Sequence, residues 1–367
     1  MPWSWVFCSG CGRSGFLVGV PIGGVMADRG GRRSVLFLAS VSAAAGNLLT
    51  VMFFGSDQPI AMGLVILGVT VSGVGQGASR PVYQAIVPSV VARHDFQTAN
   101  AALSLSTRST HLVGPAFAVI IAAALGLQAA FVVTVLLWLI SAVVPPWPAE
   151  RGDRERGPVR RKDWPRRFAV EVVEGFREAR RHPWFMATIG ALATVNAAGY
   201  SVTSVLTPQI SRTNFGDASL LVWTATAYGA GAIAGAIVIV FWSPSRRGWC
   251  ALAGLGTYCA VPLSLLLAGT FWVPVAVYLV AGIGAEFLNV IWFTAVQQEI
   301  PDEKLARVSS VDFIVSYGLA PLGLLAIAPL VFWLGMAPVL VAASTVCLLA
   351  ILAAGAVPTS SDFRSGR

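Results

Sequence analysis

Charge is scarce in this sequence, and that scarcity decides the class of protein. Only 11% of the 367 residues are Asp, Glu, Lys or Arg, whereas soluble globular proteins carry about 25%. Hydrophobic residues make up 56% of the chain, and the mean hydropathy is +0.73. Apolar runs of about 20 residues, the length that crosses a bilayer as a helix, recur throughout. The sequence therefore predicts an all-α polytopic membrane protein and excludes an ordinary soluble domain.

Metal ligands and nucleotide-binding loops are also rare or missing. The chain has 5 cysteines and 3 histidines, and Cys8 and Cys11 form a lone C-x-x-C without a second ligand pair nearby. No G-x-x-x-x-G-K-S/T loop occurs, so we expect an ion gradient or the substrate gradient to supply energy. The net charge of +8 comes without a basic face interleaved with aromatics. We predict no metal, no cofactor, no nucleic-acid partner and no enzymatic activity.

Charge clusters and Gly, Pro or polar breaks divide the apolar sequence into separate spans. The predicted spans are residues 8–27, 34–54, 60–84, 97–124, 127–145, 184–207, 219–241, 248–269, 272–297, 306–331 and 336–357. Of the 25 lysines and arginines, all except Arg13, Arg108 and Arg212 lie in alternate connections, at the span ends beside them or in the C-terminal tail. Cytoplasmic loops are enriched in Lys and Arg. These connections and the C-terminus are therefore predicted to face the cytoplasm.

The start of the chain does not fit this count. Eleven spans with a cytoplasmic C-terminus put the N-terminus outside, yet "MPWSWVFCSGCGRSGF" lacks the shape of a signal peptide. Arg13 and several glycines also interrupt the first span. Either the chain is a fragment or has a misassigned start, or its opening lies at the outer interface. We favour the first interpretation, in which one helix is missing from the start.

A charged segment, residues 146–183, separates two apolar halves. Its first part reads as a charged linker, and its later part carries Phe168, Val172 and Phe176 at helical spacing. This stripe predicts an amphipathic helix on the cytoplasmic membrane surface. The predicted organisation is an N-terminal half at 1–145, the linker, a six-helix half at 184–357 and a cytoplasmic tail at 358–367.

One loop carries a recognisable motif. It reads Gly24-x-x-x-Asp28-Arg29-x-Gly31-Arg32-Arg33, which resembles the motif between the second and third helices of the major facilitator superfamily. The stretches "RPVYQAIVPSVV" (80–91), "GPAFAV" (114–119), "EGFREARRHPWF" (174–185) and "WFTAVQQEIPDEKLARVSS" (292–310) resemble its branch of enterobactin-exporter and macrolide-efflux-like permeases. The resemblance implies two pseudo-symmetric six-helix halves, and it identifies the absent helix as the first.

The resemblance implies a conformational latch at this motif. In that family the motif aspartate meets the positive N-terminal end of a helix from the other half, here the span that begins near residue 306. Arg29, Arg32 and Arg33 then pair with acids or lipid phosphates, while Gly24 and Gly31 permit a close helix approach and a tight turn. The alternative is that these charges only fix the topology. The matching loop of the second half, "FWSPSRRGW" (241–249), lacks the aspartate and the G-R-R.

Two charges lie deep in predicted spans, and such charges are functional by default. Glu286 is about 11 residues, roughly 16 Å, from the cytoplasmic end of its span, and Arg108 is about as deep in span 97–124. Asn289 shares a helix face with Glu286, and His111 shares one with Arg108. We predict that these four residues line a central substrate and proton cavity, with Glu286 as the proton site; a purely structural Arg–Glu pair is the alternative.

Other polar residues in the spans are assigned more modest roles. Asp312 lies about two turns into its span, and we expect it to pair with Arg307 or Arg29 at a cytoplasmic gate. A helix–helix hydrogen bond or a packing role is at least as well supported as a cavity role for the remaining candidates, which are Gln76, Asn196, Tyr228 and Trp292.

Together these features predict a secondary transporter. We expect a rocker-switch exporter of a small amphipathic organic molecule, of drug or siderophore type, driven by proton antiport. Motifs of proton-driven exporters are only partly present, since Gly114-Pro115 and Gln76-Gly77 remain but their companions do not. The expected setting is a monomer in the bacterial inner membrane, surrounded by lipid. The alternative is a non-transporting membrane fragment or a sensor or assembly component.

Overall fold

The computed structural model describes residues 3–54, 60–144, 164–267 and 269–364, and within these ranges the chain is helical with no strand. Five helices precede the linker: α1 Trp3–Gly30, α2 Arg32–Phe53, α3 Ala61–Val90, α4 Phe96–Leu125 and α5 Leu127–Val143. The linker contributes α6 Trp164–Ala179. Nine more follow: α7 Pro183–Thr194, α8 Ser201–Phe215, α9 Ser219–Phe241, α10 Arg247–Gly256, α11 Ala260–Ser264, α12 Trp272–Glu299, α13 Leu305–Gly318, α14 Ala320–Leu334 and α15 Met336–Gly355.

The described residues form 9 helical segments that are long and apolar enough to cross a membrane. Two shorter apolar helices, Ser14–Ala27 and Leu127–Val143, stand where the first and fifth spans are predicted. Several segments combine consecutive helices, as in Pro183–Phe215, Arg247–Leu267 and Leu305–Leu334. The predicted all-α membrane fold is confirmed.

Glycine makes the tightest turns between helices. Gly31, Gly126, Gly216 and Gly335 have φ of 85°, 88°, 77° and 83°, a region that residues with a Cβ atom rarely enter. Gly126 separates α4 from α5, so the split predicted inside "ALGLQAAF" (124–131) is found there. Gly31 is the motif glycine, and it separates α1 from α2 within a single residue.

Two spans change their helical winding near the middle. A π-helical turn, Val195–Tyr200, joins α7 to α8, and α13 gives way to α14 near Pro321, whose ring cannot donate a backbone hydrogen bond. Asn196 donates from Nδ2 to the carbonyl of Ser316 at 2.8 Å, and Ser201 donates from Oγ to the carbonyl of Ala320 at 3.2 Å. Polar side chains therefore satisfy carbonyls that the interrupted helix leaves open.

The chain divides into two compact units. The first comprises Met1–Ala92, Pro115–Glu178 and Ile300–Ile314, and the second comprises Arg93–Gly114, Ala179–Glu299 and Val315–Arg367. Each unit thus contains sequence from both sides of the linker, and α4 and α13 each contribute to both units. The division into six-helix sequence halves stays a prediction.

Small residues bring the helices of each unit close together. In the first unit, a Cβ atom at Gly19 or Gly23 of α1 would collide with backbone atoms of α3. In the second unit, a Cβ atom at Gly231 of α9 would collide with the carbonyl of Leu279 on α12. Backbones in such contact gain dispersion energy that lipid-facing helices of larger residues lack.

The C-terminal segment packs against the helices of its own unit, the second. Phe363 is fully buried at a φ of 53°, and its ring stacks on Trp184 at 5.1 Å and meets the edge of Trp292 at 5.7 Å. Gly248 donates its backbone N–H to the carbonyl of Ser361 at 2.9 Å. The segment before residue 365 therefore ties the starts of α7 and α10 to the end of α12.

Candidate functional site

The deepest charges form a buried ion pair in the second unit. Arg108 on α4 donates from Nε to Oε2 of Glu286 on α12 at 2.8 Å. The Glu286 side chain is 0% exposed and that of Arg108 is 22% exposed. The other carboxylate oxygen, Oε1, accepts no hydrogen bond from the described residues. An ion pair in a membrane span is expensive to desolvate, and one left half satisfied is rarely kept without a function.

Tyrosines surround this pair. Tyr228 and Tyr317 lie within electrostatic range of Arg108, and the ring of Tyr228 is 6.5 Å from that of Tyr258. Tyr258 in turn is hydrogen-bonded to Thr203 at 2.8 Å and lies 6.3 Å from Tyr200. Sequence reasoning named only Tyr228. A signal was present, because 5 of the 6 tyrosines follow the linker, and only Tyr83 precedes it.

The other two predicted cavity residues lie along the same helices. Asn289 is half-buried one turn beyond Glu286 on α12, and His111 is exposed one turn beyond Arg108 on α4. The structure thus joins Arg108 and Glu286 directly. The cavity role of His111 and Asn289 stays a prediction.

An amide clasp that sequence reasoning missed holds the same two helices together near the start of α4 and the end of α12. Asn100 on α4 donates from Nδ2 to Oε1 of Gln297 at 2.8 Å and to Oγ1 of Thr294 at 3.1 Å. Gln297 returns a bond from Nε2 to Asn100 Oδ1 at 3.3 Å. All three side chains are buried. The signal for this clasp is two carboxamides in apolar sequence, and the sequence alone does not reveal that they meet.

The motif glycines lie where the resemblance expects a close approach. A Cβ atom at Gly24 of α1 would collide with Oγ of Ser310 and would come within 2.8 Å of the carbonyl of Ala306, both near the start of α13. Ser310 donates to the carbonyl of Val20 at 3.1 Å, and Arg32 donates from Nη2 to the carbonyl of Asp302 at 2.8 Å. Besides its packing on α3, α1 therefore contacts the helix that begins near residue 306.

Contacts can be given for only some of the motif residues. The side chains of Asp28 and Arg29 lie outside the described residues, so the predicted helix-capping by Asp28 is not visible. Arg33 makes an interaction of its own.

The start of α13 also makes two ion pairs with the linker helix. Arg307 donates from Nη1 to Oε2 of Glu174 at 2.8 Å, and Lys304 donates from Nζ to Oε2 of Glu178 at 2.9 Å. Sequence reasoning did not identify Glu174 or Glu178 as partners of this helix start. Asp312 is 5% exposed and makes a contact of its own; its predicted pairing with Arg307 or Arg29 stays a prediction.

The weaker candidates fall into structural roles. Gln76 donates to Ser72 Oγ at 3.1 Å on its own helix, and Asn196 bonds a backbone carbonyl. Trp292 is 2% exposed, and its ring stacks on Phe185 at 4.9 Å. Each residue therefore contributes a hydrogen bond or packing.

Comparison with known proteins agrees with this architecture. Residues 7–324 match the family model of the Major Facilitator Superfamily. Macrolide efflux protein A of Streptococcus pyogenes is 24% identical over 320 residues, which cover 83% of this chain and 75% of the relative. Macrolide efflux protein A of Enterococcus faecalis is 24% identical over 319 residues, covering 83% and 94%.

Solved structures show the same fold. The human organic anion transporter MFSD10 (TETRAN) superposes with a TM-score of 0.73 at 15% identity, covering 95% of this chain and 82% of that chain. A bacterial homologue of the iron transporter ferroportin in its outward-facing state gives a TM-score of 0.73 at 15% identity, covering 96% and 89%. At these identities the likeness concerns the fold alone. The family match is broader, and this chain belongs to the Major Facilitator Superfamily: it is an integral membrane transporter whose curated relatives are named for efflux.

Proposed function

We propose that the protein is a secondary active exporter of small amphipathic organic molecules, of drug or siderophore type, driven by proton antiport. The direction of transport is supported by the efflux relatives, including macrolide efflux protein A. The coupling is supported by the buried Arg108–Glu286 pair. We further propose a monomer in the bacterial plasma membrane with its C-terminus in the cytoplasm, as the distribution of Lys and Arg favours.

The ion pair carries the proposal because the Glu286 carboxylate can bind either Arg108 or a proton. Glu286 is fully buried and bonded to a single cation through one oxygen. When a proton reaches Glu286, it neutralises the carboxylate and removes the attraction for Arg108. Tyr228 and Tyr317, which lie within electrostatic range of Arg108, and His111 on the same helix are the other titratable groups of this neighbourhood. Protonation therefore changes which groups Arg108 can bind, and that change couples the proton to the substrate.

The remaining site residues fit an alternating-access cycle. We assign Gly24, Asp28, Arg29, Gly31, Arg32 and Arg33 to a latch that stabilises one conformation by joining α1 to the start of α13. We assign Arg307 and Asp312 to a cytoplasmic gate at the same helix start. Differential stability of such contacts in two states is what allows a bound ligand to shift a conformational equilibrium.

The test is transport by the purified 367-residue chain in proteoliposomes. An imposed proton gradient should drive uptake of a macrolide or a lipophilic dye into inverted vesicles, and dissipating the gradient should stop it. Glu286→Gln should retain downhill exchange of the dye and lose its dependence on the proton gradient. Asp217→Asn, at the exposed turn before α9, is the matched control for loss of one carboxylate.

Two results would argue against the proposal. Gradient-driven transport that is unchanged in Glu286→Gln would remove this residue as the proton site. Absence of any flux, downhill or gradient-driven, across a panel of amphipathic compounds would favour a non-transporting membrane protein.

A further inference from the structure

The guanidinium of Arg108 has hydrogen-bonding capacity that the described part of the chain does not use. Only Nε contacts Glu286, and neither Nη group makes a hydrogen bond to the described residues. A guanidinium has five N–H donors, and unmet donors at membrane depth are costly. Because the Arg108 side chain is 22% exposed and Glu286 is 0% exposed, the part of the pair that a ligand can reach belongs to Arg108.

Charge balance limits which ligand can take these donors. Arg108 and Glu286 together are neutral. An anionic ligand or a cationic ligand would each leave one uncompensated charge in a membrane span, which is the expensive arrangement. A cation would also need a free acceptor on Glu286, and the remaining oxygen, Oε1, is completely buried. The favoured ligand group is therefore a neutral oxygen acceptor.

The surroundings suit an amphipathic molecule that carries such a group. Tyr228 is half-buried and Tyr317 is 48% exposed, and both lie within electrostatic range of Arg108. Phenol rings offer apolar faces to a hydrocarbon body and a hydroxyl to further oxygens. Asn289, half-buried one turn from Glu286, adds a carboxamide on the same helix face.

We propose that the Nη fork of Arg108 is a substrate subsite for the carbonyl oxygen of neutral molecules, namely esters, lactones or ketones with an apolar body. Glu286 is then a positioning residue, since its bond to Nε fixes the plane of the guanidinium and aims the fork. When Glu286 is protonated, its bond to Nε no longer fixes the orientation of the guanidinium. The ligand then loses a preorganised pair of donors. This inference rests on the proposed function and names the substrate class of its site.

Three ligands with one body test the substrate class. Naphthylbutyrate, its methyl ester and the corresponding naphthylalkyl trimethylammonium differ only in the head group. Their affinities for the full chain in lipid nanodiscs are measured by calorimetry at neutral pH. We expect the ester to bind about 10-fold or more tightly than either ion, a difference of about 1.4 kcal/mol.

Variants test the residue. Arg108→Lys keeps the positive charge for Glu286 but lacks the planar fork, so it should reduce ester affinity about 10-fold and leave the melting temperature close to that of the parent. Arg80→Lys, an exposed arginine of α3, is the matched control and should bind the ester normally. Equal or tighter binding of the carboxylate or the ammonium would overturn the proposal, as would full ester affinity in Arg108→Lys.

The transport assay separates this inference from the proposed function. Proton-driven export of cations with no preference for esters would refute the subsite and leave the exporter standing. Ester binding that needs the Arg108 fork, in a protein without gradient-driven flux, would refute proton antiport and leave the subsite standing.

Discussion

Two Arg–Glu pairs in this molecule have the same N–O distance but differ in how exposed their carboxylates are. Arg108 and Glu286 meet at 2.8 Å, and so do Arg307 and Glu174. In the first pair the carboxylate is 0% exposed and the arginine 22%, whereas in the second the carboxylate is 56% exposed and the arginine 7%. Water that screens the second pair also solvates the Glu174 carboxylate when the partners separate, and ion pairs that water reaches contribute about 0–1 kcal/mol. Length therefore says little about strength, and burial decides it.

The difference in burial also suits the two ion pairs to different roles. A buried pair has two alternative arrangements. When one charge is lost, the other is left buried without a counter-charge, and this costs enough free energy to force a rearrangement. An exposed pair can form and break with small changes in free energy. The first property suits a group that couples a proton to a conformational change, and the second suits a contact of the linker helix that must not lock the protein.

Removing Arg108 should have the largest effect on stability. In Arg108→Met the Glu286 carboxylate keeps its burial and loses its cation, so we expect the free energy of unfolding to fall by about 3–5 kcal/mol. Unfolding in mixed micelles with a denaturing detergent measures this. The double variant Arg108→Met/Glu286→Leu should recover most of the loss because neither charge remains. A single variant as stable as the parent would show that the pair is solvated in the folded protein.

The amide clasp should rank second. Asn100→Leu leaves the buried Gln297 carboxamide without its reciprocal partner, and we expect a loss of about 1–3 kcal/mol in the same unfolding assay. Thr294 loses less, since a threonine hydroxyl can bond a carbonyl of its own helix. Replacing both carboxamides, as Asn100→Leu/Gln297→Leu, should be milder than the single change. If the double variant is the worse of the two, apolar packing rather than the clasp holds these helices.

Overpacking the motif glycine should follow. Gly24→Ala puts a methyl group into contact with Ser310 Oγ and the carbonyl of Ala306. We expect a net loss of about 1–2 kcal/mol, the strain of overpacking less the gain in helix propensity. Gly63→Ala is the control, since nothing lies within 4 Å of a Cβ atom there, and it should not destabilise. Equal effects of the two changes would mean that α1 moves away from α13 at little cost.

Sequence reasoning succeeded where the physical signal is local. Apolar length and turn glycines such as Gly126 give the helices, because every spanning backbone must satisfy its own hydrogen bonds. The depth of Arg108 and Glu286 in apolar runs picked out the two residues of the central pair. The reasoning failed for Asn100 with Gln297 and for Glu174 with Arg307, since their partners are more than 100 residues apart in the chain. Periodicity gives a residue's face and depth but not the helix opposite.

The smallest effect on stability is expected at the Arg307–Glu174 pair, whose carboxylate is exposed. Glu174→Gln removes one charge from the contact between α6 and the start of α13, and Arg307 keeps a bond to the carbonyl of Glu303 at 3.3 Å. We expect the free energy of unfolding to fall by about 0.2–1 kcal/mol in low salt. The difference should shrink further at about 1 M salt, where the Debye length is about 3 Å. Arg177→Gln, an exposed change on the same helix, controls for altered net charge. A loss as large as that of Arg108→Met, unchanged by salt, would mean that the burial of Arg307 outweighs the exposure of Glu174 and that exposure of one partner does not weaken an ion pair here.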